Sequence, residues 1–182
     1  MKISISDFWL VVGYHCNNRC QHCYAKTLCT QPRGQWMSLA YARNIMSMMK
    51  EGGAKNCLLI GGEPSLMPDL EKIISYGSNL GLKMIIITNG RRFKDEKFAQ
   101  RLFDLGLSQV TVSLASHKEI LHDTWTQKTG SFRETCQGIE NCARFGYIST
   151  ITLNYETPSQ QKNSQQHKTN RLNKQSVLIQ KI

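Results

Sequence analysis

Three cysteines fall within eight residues, Cys16-Asn-Asn-Arg-Cys20-Gln-His-Cys23, spaced C-x3-C-x2-C. Thiolates that close in sequence can wrap one metal centre, and soft sulfur donors suit iron–sulfur clusters or zinc. Three of them leave a four-iron cube one protein ligand short, because an ordinary cluster of that type takes four cysteines. The open iron is then a place for a substrate or cofactor to bind. A zinc ion with His22 or Cys29 as its fourth ligand satisfies the same spacing.

The elements that must position these thiols are readable from apolar runs and their stops. Phe8-Trp-Leu-Val-Val12, bounded by Gly13, reads as a buried strand. The cysteines therefore sit on a loop leaving a strand end, where the functional loops of α/β proteins gather. A second strand, Asn56-Cys-Leu-Leu-Ile60, runs directly into Gly61-Gly62-Glu63-Pro64. Glycine at a strand end lets the backbone reverse and come close to a ligand, Glu63 offers a negative partner for a cation, and Pro64 fixes the exit direction. A tight β-to-α turn with an exposed Glu is the plainer reading of the same four residues.

Between the cysteines and the second strand lies a polar stretch to Trp36, then a helix opened by Ser38, a good N-cap residue. Leu39, Ala42, Ile45, Met46 and Met49 form its apolar face, and Gly52-Gly53 stops it. The same alternation continues: a helix over 69–80, a strand over 83–88, a helix over 95–105 and a strand over 109–114. A loop of about 16 residues follows, carrying His117, His122, Asp123 and Trp125, with the His and Asp residues read equally as surface groups or substrate contacts. Ser131-Phe-Arg-Glu134 has the form of a capping box. It opens a helix expected to turn Phe132, Cys136, Ile139 and Phe145 inward, before a fifth strand over 147–154. Five strands alternating with helices imply an α/β fold with a parallel sheet and right-handed crossovers. Periodicity alone allows either a partial barrel or an open doubly wound sheet.

The cysteine triplet after a first strand, followed some forty residues later by Gly61-Gly62-Glu63-Pro64, resembles the radical S-adenosylmethionine (radical SAM) family. The resemblance covers roughly residues 5–154 and favours an incomplete (β/α) barrel of about five units. It implies that Cys16, Cys20 and Cys23 hold a [4Fe-4S] cluster. It further implies that Gly61, Gly62 and Glu63 receive the ammonium of SAM, that His22 lies near its adenine, and that Ser113 contacts its ribose. Asn154, with Thr88 and Asn89, ends a strand at the same mouth of the barrel. The implied reaction is reductive cleavage of SAM to a 5′-deoxyadenosyl radical that abstracts hydrogen from substrate. Peptide or protein modification, or cofactor maturation, is the expected subclass, with a small molecule or peptide as substrate. The reading from a different class is a catalytically silent iron–sulfur or zinc binding module. Cys29, Cys57, Cys136 and Cys142 read as core or loop thiols before they read as ligands of a second cluster.

The chain has 182 residues, 40% of them apolar, and a formal charge of +10. That length suits one well-cored domain. Residues 1–155 are expected to form the core. Residues 156–182 are rich in Gln and Asn and are expected to be a disordered or non-native tail, in a chain that ends before the family's last barrel units. The tail carries five Lys/Arg against Glu156 alone, so the remaining charge is spread thinly and nucleic acid is not an expected partner. A basic surface suits an acidic low-potential electron donor such as flavodoxin or ferredoxin. No run reaches the roughly 18 apolar residues of a membrane span, and the N-terminus lacks a signal pattern. A cytoplasmic location with reduced thiols is the expectation.

Overall fold

Five short strands form one sheet in the order in which they occur along the chain, every neighbouring pair parallel. They are β1 (Asp7–Val11), β2 (Asn56–Ile60), β3 (Lys83–Thr88), β4 (Leu107–Leu114) and β5 (Tyr147–Thr152). The helices are α1 (Lys26–Cys29), α2 (Leu39–Glu51), α3 (Leu70–Asn79), α4 (Glu96–Asp104), α5 (Glu119–Thr126) and α6 (Ser131–Phe145), with 3-10 turns at Pro64–Leu66 and Arg91–Lys94. This computed structural model describes residues 5–29 and 36–152, without the side chains of Cys29 and residues 149–152. The expected tail 156–182 and Asn154 lie outside the described residues.

Sequential strand order decides between the two sheets that periodicity allowed. Right-handed crossovers between successive neighbours place every helix on the same face, whereas a doubly wound sheet must reverse its order. The chain is therefore a stretch of (β/α) barrel wall. Alternate residues serve its two faces. Phe8, Leu10, Cys57, Leu59, Met84, Ile86, Val110 and Val112 are buried against the helices. Trp9, Leu58, Ile85 and Gln109 stand in one register row on the opposite, barrel-interior face.

Helix α2 shows how local sequence sets these elements. Ser38 has extended backbone and its Oγ accepts from Tyr41 N at 3.2 Å, satisfying one N–H that the first helical turn leaves over. Ala42 and Met46 are fully buried, with Leu39, Ile45 and Met49 packed at the margin of the same core. Burying a side chain the size of Met46 contributes about 1.5–3 kcal/mol.

Two expectations about the later chain need correction. The stretch after β4 is not a plain loop: residues 119–126 form α5, whose polar sequence weakened its periodicity. Ser131 and Glu134 do not make a capping box either. Gly130 is the N-cap of α6, without a side-chain cap bond, and Glu134 pairs with Arg91 and Lys94 instead. The inward stripe of α6 is Thr135, Gly138, Asn141 and Cys142; Ile139 and Phe145 pack against the core from its margin as expected, whereas Phe132 and Cys136 are only partly covered. Close approach explains this. A Cβ at Gly138 would lie 2.1 Å from the Gly90 carbonyl oxygen, so the helix meets the turn after β3 through small and polar residues. Asn141 Nδ2 donates to the carbonyls of Phe93 and Lys94, both at 2.9 Å.

Candidate functional site

The cysteine loop and the glycine turn are extensions of adjacent strands, and they stay paired beyond the ends of those strands. Val12 N donates to Ile60 O at 2.9 Å, Gly62 N to Gly13 O at 2.9 Å, and Glu63 N to His15 O at 2.7 Å. The last of these sits one residue before Cys16. Both glycines are required by this pairing. Gly61 has φ +146°, and a Cβ there would fall 2.1 Å from Gly13 O. At Gly62 a Cβ would fall 2.4 Å from both Tyr14 O and His15 O. From the other end of the loop, Tyr24 Oη donates to Gly61 O at 2.9 Å. The Gly-Gly turn is thus clasped from both sides of the triplet.

Glu63 is buried, 1% exposed, rather than presented to solvent on a turn. Its Oε1 accepts from Ser65 N at 3.0 Å and Thr88 Oγ1 at 2.6 Å, and its Oε2 accepts from Asn89 N at 2.7 Å. An ionised carboxylate has about four acceptor positions, so three donors leave one on Oε2. Glu63 therefore ties the end of β2 to the end of β3 while keeping room for one more donor. Thr88, expected at the barrel mouth, is committed to this bond. Ser65 Oγ is buried beside it without a protein partner among the described residues.

Asn17 and Asn18, between the first two cysteines, are held by residues following β3. Asn89 Nδ2 donates to Asn17 Oδ1 at 2.7 Å. One nitrogen of Arg91, NH1, donates to Asn17 O at 2.6 Å and to Asn18 Oδ1 at 2.8 Å. Its Nε donates to Glu134 Oε2 at 2.6 Å. Asn18 N in turn donates to Cys16 Sγ at 3.4 Å. The segment around Cys20 leans on α5 instead, with Arg19 N bonded to Thr126 O and Gln21 N to Trp125 O, each at 2.9 Å.

The three thiols are half-buried on this framework. Burial pushes the Cys20 thiol above its ordinary range, and neighbouring Cys23 adds to the rise. A metal binding here displaces protons, because the thiolate is the ligand. Among the described residues, no three His, Cys, Asp or Glu side chains converge as donors to a single ion; the side chain of Cys29 lies outside the described residues. The donor set fits a cluster, and the acceptor position left on Glu63 Oε2 fits a small molecule with a cationic group beside it.

Of the remaining candidates, His22 is exposed and lies against Trp125 of α5, ring centroids 5.0 Å apart. Ser113 is half-buried on β4, on the face opposite Val110 and Val112, and so faces the barrel interior. Asn154 lies outside the described residues. Cys57 and Cys142 are core residues, both 0% exposed, their thiols pushed up to about 12 by burial.

The support beneath the site was largely invisible in the sequence. His122 is 1% exposed and its Nδ1 accepts from Ala115 N at 3.2 Å. Burial lowers its pKa, Asp123 opposes that shift and Arg91 adds to it. Asp123 closes the segment after α5 by accepting from Gly130 N, Ser131 Oγ and Phe132 N at 2.6–2.9 Å. Burial alone would raise its carboxyl, but those donors and His122 hold it below the usual range. The local signal was there in Asp123 followed by Gly130-Ser131, a polar anchor at loop distance. Arg91 had no sequence signal beyond following Asn89-Gly90.

A family model described as the radical SAM superfamily matches residues 10–158. The chain is 33% identical over 152 residues to a probable GTP 3′,8-cyclase of Methanococcus maripaludis, covering 83% of this chain and 50% of that protein. It is 30% identical over 131 residues to the Fe-coproporphyrin III synthase of Methanosarcina barkeri, covering 72% of this chain and 32% of that one. The chain thus spans between a third and a half of the length of these curated relatives. Among solved structures, anSMEcpe with bound AdoMet superposes with a TM-score of 0.67 at 17% identity, covering 81% of this chain and 43% of that one. Methylornithine synthase superposes with a TM-score of 0.64 at 13% identity, covering 82% and 44%. These two likenesses carry the fold.

Proposed function

The chain belongs to the radical SAM superfamily, and from that premise we propose that it is the core of an enzyme that cleaves SAM reductively. In this reading residues 1–155 are the core, and Cys16, Cys20 and Cys23 hold a [4Fe-4S] cluster. When bound, such a cluster supplies the electron that splits SAM into methionine and a 5′-deoxyadenosyl radical.

The observation that carries the reading is the paired frame joining the triplet to the glycine turn. Gly62 N and Glu63 N are bonded to the carbonyls of Gly13 and His15, immediately before Cys16. Two segments nearly fifty residues apart are thereby fixed as one surface, packed so closely that a Cβ at Gly61 or Gly62 would strike the backbone of Gly13, Tyr14 or His15. Gly61 and Gly62 present their own backbone to SAM. Glu63 keeps one acceptor position for the ammonium of SAM, its carboxylate held in place by Ser65, Thr88 and Asn89. His22 and Ser113 serve the adenine and ribose ends, and Asn154 the barrel mouth. A site walled by packed side chains excludes water, so that a carbon radical meets only its substrate.

Members of the superfamily need a reductant and act on peptides or small molecules. For this chain the finer proposal is a flavodoxin- or ferredoxin-like donor and a role in peptide or protein modification, or in cofactor maturation. A synthase of Fe-coproporphyrin III and a subtilosin biosynthesis protein of Bacillus subtilis, 25% identical over 146 residues, stand among the relatives and support those two classes. No helix among the described residues is long and apolar enough to cross a membrane; a cytoplasmic location is part of the proposal.

The ligand assignment is tested with Cys20→Ala. Cys20 lies on a loop, half-buried, and contributes little to the core. After anaerobic reconstitution the variant should retain the far-ultraviolet spectrum of the parent and lose nearly all bound iron and sulfide. Full iron and sulfide in the variant would remove Cys20 from the ligand set.

A further inference from the structure

Arg91 is the only Lys or Arg buried among the described residues, 8% exposed. Burying a guanidinium is costly unless its donors are matched. Here they are matched asymmetrically. Nε goes to Glu134, and NH1 goes to Asn17 O and Asn18 Oδ1. Glu134 is shared with Lys94, whose Nζ is 2.5 Å from Oε1. Two cations therefore face one carboxylate, leaving the three groups with a net positive charge, and the guanidinium is the cation at the buried end, against the cysteine loop. Asn18 is itself buried, and its N–H is the donor to Cys16 Sγ. An unbroken path of two hydrogen bonds thus runs from the guanidinium through Asn18 to the first cysteine's sulfur.

We infer that Arg91 is a positioning residue for the cysteine loop. It fixes the Asn17–Asn18 turn so that the Asn18 N–H meets Cys16 Sγ, and its buried charge tunes the reduction potential of the group those thiols hold. The second half rests on the cluster reading given above; the first half does not. Hydrogen bonds to the sulfurs and nearby net charge are among the factors that set cluster potentials. A fixed cation favours the reduced, more negative state, so removing it makes reduction harder. Nothing in the pairing requires Arg91 for the barrel core: its side chain bonds to the loop and to a helix surface, not to apolar residues.

Two readouts separate the parts. Hydrogen exchange of the amides of residues 17–20, measured on the metal-free full chain, reports positioning. A redox titration of the reconstituted protein, followed by electron paramagnetic resonance, reports the charge. Arg91→Gln should speed exchange of those amides at least tenfold, leaving α2 and α3 unchanged. It should also lower the midpoint potential by a tenfold change in the reduction equilibrium, about 59 mV for one electron. Arg91→Lys keeps the charge without the fork, so it should speed exchange yet stay near the parent potential. Exchange within twofold of the parent in Arg91→Gln overturns the positioning role. An unchanged potential in Arg91→Gln, or one lowered equally by Lys and Gln, overturns the charge role. If Arg91→Gln does not fold, Asn18→Ala removes the loop acceptor while keeping the Arg91–Glu134 pair, and faster exchange at residues 17–20 is again the expected result. A parent protein that takes up no cluster defeats the cluster reading alone, and the exchange arm still decides the positioning role.

Discussion

Replacing Glu63 with Gln removes one charge and exchanges one acceptor oxygen for a donor, in a place with no slack. The carboxylate receives three hydrogen bonds, from Ser65 N, Thr88 Oγ1 and Asn89 N, and has no solvent to turn to. The best orientation for a Gln amide keeps its oxygen at the Oε1 position, facing Ser65 and Thr88. Its NH2 group then faces the Asn89 N–H, donor against donor. Bonds to a charged acceptor contribute about 1.5–3 kcal/mol each, against about 1 kcal/mol for neutral ones. Losing one and weakening two, less the relief of no longer burying a charge, gives a destabilisation of about 3 kcal/mol. With a urea slope of about 1–3 kcal/mol/M, the midpoint should fall by roughly 1–3 M. The assay is urea unfolding of the metal-free protein under reducing conditions, with Glu71→Gln as comparison. Glu71 pairs with Arg101 at 2.7 Å on the surface, both about half exposed, and its loss should shift stability by less than about 1 kcal/mol. Equal midpoints for the two variants would refute the assignment of Glu63 as the tie between β2 and β3, and with it the idea that this residue is preorganised before any ligand arrives.

Two further outcomes follow from the same geometry. Gly62→Ala sets a methyl 2.4 Å from two carbonyl oxygens, forcing apart the frame before Cys16; overpacking and lost backbone bonds should cost about 2–4 kcal/mol, and SAM affinity measured calorimetrically on the folded fraction should fall at least tenfold. Parent-like affinity would show that the turn does not contact SAM. Burial depresses the pKa of His122, so it is neutral when folded, while the unfolded chain takes up a proton below about pH 6.5. Its contribution is therefore complete above that pH and is lost as pH falls toward the folded value. His122→Asn, which keeps an acceptor for Ala115 N, should flatten the loss of urea stability between about pH 7 and about pH 5; a slope identical to the parent's would contradict the burial argument. Asp123 and Glu134, both held below their usual range, lose their contributions only in more acid solution.

The sequence made strands and simple helices legible because each is written in one local pattern. Phe8–Val12, Asn56–Ile60 and Lys83–Thr88 are apolar runs with glycine or asparagine stops, and Ser38 marks its helix by cap chemistry alone. The glycine turn was legible as a place needing close backbone approach, though not that Gly13, Tyr14 and His15 are what it approaches. Contacts between distant polar residues left no local trace. Arg91 meets Asn17 and Asn18 across more than seventy residues, and Glu134 looked like the partner of Ser131 because helix-start patterns recur by chance. Helix α5 was missed because Glu119-Ile-Leu-His-Asp-Thr-Trp-Thr126 buries chiefly His122 and Thr126, polar residues that an apolar periodicity does not weigh. On helix α6 the apolar pattern finds Ile139 and Phe145, which pack against the core, but not Thr135, Gly138 and Asn141, whose burial follows from Gly138 fitting under Gly90.

The central claim is that the triplet and the glycine turn form one site, where a cluster and SAM meet. The most direct test reconstitutes the full chain anaerobically with iron and sulfide, reduces it, and adds SAM while electron paramagnetic resonance and 5′-deoxyadenosine release are followed together. A reduced-cluster signal that changes on adding SAM, with 5′-deoxyadenosine formed, is the predicted result. A cluster whose signal is indifferent to SAM, or stoichiometric zinc in place of any cluster, would contradict it.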